Sequence, residues 1–169
     1  MNKLKKVLGG LEQAGKWGED AILVLILTTM IFLASAQIFL RNFFDVGFFW
    51  GDEMLRMLVL WLAVAGAVSA SRTDKHISID VLNRFLPAKV SLAVKIVVHI
   101  FTATVCAVVA WHSLAFVQTS YEFEDVLLGN VPAWILQSVL PIGFGLIAWR
   151  YSLFALKEFF GLFQKGEAE

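Results

Sequence analysis

Four long apolar blocks constrain this chain more than any other feature. Residues 21–40 form an uncharged run, residues 54–70 carry only Arg56, residues 90–117 carry Lys95, His99 and His112, and residues 133–149 are again uncharged. At about 1.5 Å of rise per residue, each is long enough to cross a hydrocarbon core of about 30 Å. Composition says the same: 59% of the residues are hydrophobic and 17% charged, against roughly half and a quarter in soluble domains. The expected fold is an all-α integral membrane protein with four transmembrane helices, at 21–44, 51–71, 89–118 and 132–158.

Positive charge sets the expected orientation. Lys3, Lys5, Lys6 and Lys16 precede the first block, and the linker 71–89 holds Arg72, Lys75, Arg84 and Lys89. Arg150, Lys157 and Lys165 follow the last block, whereas 41–51 has only Arg41 and 118–131 has no basic residue. The positive-inside rule then predicts both termini and the middle linker in the cytoplasm. Trp17 and Trp149 would mark one membrane face, Trp50 and Trp134 the other. Ala34-Ser35-Ala36 resembles a leader-cleavage site, but the apolar run continues past it and Glu12, Glu19 and Asp20 are foreign to a leader's basic start. A retained first helix is expected.

Two stretches read as helices lying on the membrane. In residues 1–20, Leu4, Val7, Leu8 and Leu11 fall on one face, and in the linker 72–88, Ile79, Leu82, Phe85 and Leu86 do so before Pro87. Pro132 suits a first helical turn with Asn130 as its cap, and Pro141 should kink the fourth helix.

The sequence offers little chemistry. It lacks the nucleophile-elbow, zinc-protease and phosphate-loop patterns, and its single cysteine, Cys106, gives no zinc spacing. A net charge of zero supplies no field for nucleic acid. An enzyme is not expected. His99 and His112 share one helix as haem ligands would, yet thirteen residues place them about 220° apart around it. Helix centres offer only Gln37, Gln137 and scattered Ser and Thr, too little polarity for a solute path. A cytochrome-type anchor subunit of a respiratory complex and a free-standing small channel stand as alternatives to a subunit of something larger.

Charge gathers at two places. Asp52 and Glu53 lie four and three residues before Arg56, so one guanidinium is expected to be shared by both carboxylates. Arg41 and Asp45 should arrive at the same level. The cluster reads either as self-neutralising or as a protein contact. The loop 121–130, YEFEDVLLGN, holds Glu122, Glu124 and Asp125 without a base. Those acids either keep a connection soluble or dock a basic partner.

Arg41, then Trp50-Gly51-Asp52-Glu53 with Arg56 and Trp61, then Gly66-Ala67, then Arg72 with His76-Ile77-Ser78-Ile79-Asp80, resembles the DctQ family. That family is the small membrane subunit of tripartite ATP-independent periplasmic (TRAP) transporters. The resemblance implies a bacterial inner-membrane scaffold, paired with a large membrane subunit and served by a periplasmic substrate-binding protein. It implies uptake of an organic acid, C4-dicarboxylate or sialic acid, driven by sodium bound in the large subunit, with no cofactor in this chain. Arg41, Asp52, Glu53, Arg56, Arg72, His76 and Asp80 become a structural or subunit-interface cluster, and Glu122, Glu124 and Asp125 a docking surface for the binding protein.

Overall fold

The computed structural model describes residues 2–72 and 88–166, and the side chains of residues 13, 15–72 and 90–159. The surface helix expected at 72–88 therefore lies outside the described residues but for its ends. Helix α1 spans Asn2–Phe44, α2 Gly51–Ala70 and α3 Ala88–Glu122. A short hairpin of β1 (Val126–Leu127) and β2 (Val131–Pro132) follows, then α4 (Ala133–Gln137) and α5 (Val139–Gly166). Among the described residues four stretches are helical and apolar enough to cross a membrane: Gly15–Phe44, Gly51–Ala70, Val90–Glu122 and Ala133–Phe159.

Three local readings of the sequence are amended. No break separates a surface helix from the first span, because α1 runs unbroken for 43 residues. The reason is local: its glycines weaken a helix by roughly 1 kcal/mol each but leave every backbone donor in place, and no proline intervenes. Second, the loop after α3 contains a hairpin, in register Val126↔Pro132 and Leu127↔Val131. Its turn puts Leu128 (φ 56°) and Gly129 (φ 86°) in the left-handed region. Third, Pro132 sits just before α4, and Asn130 falls in the hairpin turn. No side chain caps α4. Its first amide, from Ala133, donates to the Asp125 carbonyl at 2.8 Å.

The fourth span is interrupted at Ser138, between α4 and α5. Pro141 explains the position. It offers no N–H to the carbonyl four residues back, that of Gln137, and its ring crowds that carbonyl. Ser138 closes the last turn of α4, its amide donating to the Trp134 carbonyl at 3.1 Å and its hydroxyl to the Ile135 carbonyl at 2.7 Å.

Two compact units result. The first combines α1, α2 as far as Ser69, the end of α3 from Val117, the hairpin and α4. The second combines α3 up to Phe116, α5 from Leu140 and the turn after α2. Ile26, Leu58, Val64, Ala133 and Leu136 are buried in the first; Cys106, Ile147 and Tyr151 in the second. Many of the largest apolar side chains are outside, Phe32 at 75% and Trp111 at 73% exposure. For a soluble fold that would be ruinous; for helices bathed in lipid it is the expected surface.

Candidate functional site

Polar groups from α1 and the hairpin meet at the start of α2. Gly51 forms the first turn, with its amide donating to the Phe48 carbonyl and the Met54 amide to the Trp50 carbonyl, both at 3.0 Å. Asp52 and Glu53 follow, where the exposed amide ends of a helix favour negative charge. Gln37 of α1, buried, donates its side-chain amide to Asp52 Oδ1 at 3.0 Å. Gly51 makes that approach possible, since a Cβ there would stand 2.6 Å from Gln37 Oε1.

Glu53 turns to the hairpin. Its Oε2 accepts the backbone N–H of Leu128 at 2.8 Å. A left-handed leucine is an unfavourable backbone state, and a charge-assisted hydrogen bond is a strong local reason for it to persist. Gly129, next in the turn, lies so close to the Phe49 ring that a Cβ would meet it at 3.0 Å. Farther along α2, the Trp61 indole N–H donates to the Leu136 carbonyl at 2.8 Å. That carbonyl belongs to the last turn of α4, just before the interruption. Asp52, Glu53 and Trp61 thus tie α2 to three separate pieces of chain.

The expected pairing with Arg56 is not formed. Arg56 is exposed and makes no ion pair among the described residues. Helical spacing permits the Asp52–Arg56 and Glu53–Arg56 pairs, but both carboxylates point to fixed donors on other elements, which require no ordering of a long arginine side chain. Arg41, in the last turn of α1, is also exposed and outside the hydrogen-bonded group. Arg72 lies half-buried in the turn after α2, in the second unit. His76 and Asp80 lie outside the described residues. Glu122, Glu124 and Asp125 are all exposed at the base of the hairpin that Glu53 holds.

The second unit holds a polar pair that sequence reasoning passed over. His99 of α3 has 0% exposure, and its Nδ1 lies 3.3 Å from Glu158 Oε2 of α5. Tyr151 and Phe154 stand against the imidazole, ring centres 5.8 and 5.9 Å away. His112 is exposed, so the two histidines share no site. One signal was available: Glu158 is an acid near the end of an apolar helix, where charge needs a partner. In the same unit Arg150 donates to the Ser71 hydroxyl at 3.2 Å. A crevice between α3 and α5 is lined by Ile96, Ile100, Ala103, Thr104, Ser152 and Leu156, among others. Thr104 and Ser152 both spend their hydroxyls on carbonyls of their own helices, at 2.8 Å each, which leaves the lining apolar. Among the described residues no three His, Cys, Asp or Glu side chains gather as metal ligands would.

Comparison with known proteins gives these elements a context. The family model described as tripartite ATP-independent periplasmic transporters, DctQ component, matches residues 30–163. The chain is 30% identical over 103 residues to the isethionate TRAP transporter permease protein DctMQ of Oleidesulfovibrio alaskensis. That match covers 60% of this chain but only 16% of the relative, so this chain spans a small part of that longer protein. It is 27% identical over 155 residues to the ectoine TRAP transporter small permease protein TeaB of Halomonas elongata, covering 91% of this chain and 80% of the relative. It is 22% identical over 143 residues to the sialic acid TRAP transporter small permease protein SiaQ of Vibrio cholerae, covering 85% and 78%.

Proposed function

The chain belongs to the DctQ family of tripartite ATP-independent periplasmic transporters, and we propose that it serves as the scaffold subunit of a sodium-driven organic-acid importer. It is a small TRAP membrane subunit, a multi-pass protein of the bacterial inner membrane. Its partners in this reading are a large membrane subunit, which carries solute and sodium, and a periplasmic binding protein, which delivers the solute. Both termini face the cytoplasm, so the start of α2 and the hairpin face the periplasm. Solute choice rests with the partners; the relatives' names, isethionate, ectoine and sialic acid, differ while all three align with this chain.

One observation supports a scaffold above all. The two carboxylates at the entry to α2, and Trp61 farther along it, are spent on the chain's own elements: Asp52 on Gln37, Glu53 on the Leu128 amide, Trp61 on the Leu136 carbonyl. Groups engaged in this way fix a shape; a solute site keeps its polar groups open to the solute. The Glu53 bond holds the hairpin, and Glu122, Glu124 and Asp125 beside it form an acidic rim suited to a basic patch on the binding protein. Rim charges of that kind chiefly raise the rate of encounter.

Reconstitution tests the reading. Proteoliposomes holding the large subunit with this chain, supplied with binding protein and a sodium gradient, should accumulate the organic acid; this chain alone should transport nothing. Transport by this chain alone would overturn the scaffold role. Neutralising all three rim acids should slow uptake most at low ionic strength and limiting binding protein. Kinetics unchanged across a salt series would reduce the loop to a connection.

A further inference from the structure

Exposed residues on α2 differ in kind from those on the other spans. Asp52, Arg56, Val59, Ala63 and Ala67 are all exposed. At 100° per residue they fall within an arc of about 80°, a single stripe along the helix. Within α2, Val59 is the one large apolar side chain exposed. The other spans expose small residues as well, Ser35 on α1 and Ala107 on α3 among them, but each also exposes several large apolar side chains suited to lipid: Phe32 and Phe39 on α1, Phe101 and Trp111 on α3, Trp149 and Leu153 on α5. Alanine at 63 and 67 leaves the helix backbone open to close approach, which favours another helix over disordered acyl chains.

The stripe also carries a charge with no counterpart among the described residues. Arg56 lies about 8 Å along the axis from Gly51, inside the apolar segment, and makes no ion pair among the described residues. The nearest acids on its own helix, Asp52 and Glu53, have their hydrogen bonds elsewhere. A guanidinium inside the edge of a membrane is retained where it has an anionic partner. We infer that this stripe of α2 is the surface that packs against a transmembrane helix of the large membrane subunit, with Arg56 paired to an acidic side chain on that helix. The inference rests on the assembly proposed above and adds to it the face and its charge chemistry. Close packing along Val59, Ala63 and Ala67 would exclude lipid and water from the ion pair, which strengthens it.

Site-directed cross-linking in native membranes tests this. Single cysteines at Ala63 and Ala67 should link to the large subunit, and cysteines at Phe32 and Phe39 should not. Arg56→Ala should weaken association on the order of thirty-fold or more, as expected when one member of a desolvated charge pair is removed. Arg56→Glu should recover assembly only with a basic residue at the cross-linked acid of the large subunit. Recovery of no large subunit with the wild-type chain would sink the assembly reading itself. Assembly with links from Phe32 and Phe39 alone would leave that reading standing and overturn the face. Links from Ala63 and Ala67 with undiminished affinity in Arg56→Ala would overturn the charge pairing and assign the guanidinium to lipid phosphate.

Discussion

At the entry to α2, two carboxylates near the surface are each held by an uncharged donor from another element, the Gln37 amide and the Leu128 N–H. Between α3 and α5, an imidazole with no exposure faces a carboxylate across 3.3 Å, walled by Tyr151 and Phe154. In the first arrangement Gln37 joins α1 to α2, and Glu53 organises irregular backbone, the turn of the hairpin. The second joins two regular helices that have no backbone donors to spare. Where a chain turns, its own amides can satisfy an acid; between two helices only another side chain can. Removing one group should therefore cost more between the helices than at the turn.

The largest effect is expected at the buried pair. Glu158→Leu takes from the buried His99 ring the carboxylate that lies 3.3 Å from it. A loss of about 1–3 kcal/mol is the usual scale for removing one member of a buried polar pair. Thermal unfolding in detergent should show a clear drop in midpoint. The His99→Leu/Glu158→Leu double variant should regain most of it, because two apolar groups pack together where a polar ring beside a leucine does not. A single variant as stable as wild type would make the 3.3 Å approach incidental and erase the contrast with the α2 entry.

A smaller loss is expected at Glu53. Glu53→Gln keeps an acceptor for the Leu128 amide but removes the charge that strengthens the bond, and the site is open to water. About 1 kcal/mol is the expected scale. The cost should be local, since Leu128 occupies a left-handed state that Glu53 helps maintain. Hydrogen exchange should accelerate at residues 126–131 and stay unchanged at the α3–α5 pair. Acceleration in both places would mean that the two polar sites act as one cooperative structure.

How far the sequence foretold these features follows from how each signal is written in it. Membrane class and the four spans are legible because length and apolarity are sums over many residues, insensitive to any one neighbour. Pro141 marks the interruption of the last span because a missing N–H acts on a known carbonyl. Asp52 and Glu53 stand out as charges at the edge of an apolar block, but their partners do not. The nearest base in sequence was Arg56, while the actual donors, Gln37 and the Leu128 N–H, are 15 and 75 positions away. The His99–Glu158 pair, 59 residues apart, is hidden for the same reason. Helical spacing ranks neighbours on one helix and says nothing about what another element brings.

Gly51 gives the smallest effect and the sharpest check on that reading of the α2 entry. A first-turn glycine looks like a simple flaw, since alanine would reduce the freedom of the unfolded chain and favour the helix by up to about 1 kcal/mol. The structure assigns the glycine a purpose: an added Cβ would sit 2.6 Å from Gln37 Oε1 and 2.9 Å from its amide carbon. The end of a glutamine side chain can swing away, so Gly51→Ala should fold, but at the expense of the 3.0 Å bond to Asp52. Loss of one such bond, at about 1 kcal/mol, offsets the helical gain and leaves a net change near zero or slightly destabilising. In a Gln37→Ala background the obstacle is gone, and the same substitution should stabilise by its full helical preference. A double-mutant cycle read by thermal unfolding should therefore give a coupling of roughly 0.5–1 kcal/mol between positions 37 and 51. Additive effects would mean that the glycine serves the helix start alone and that Gln37 reaches Asp52 without its help.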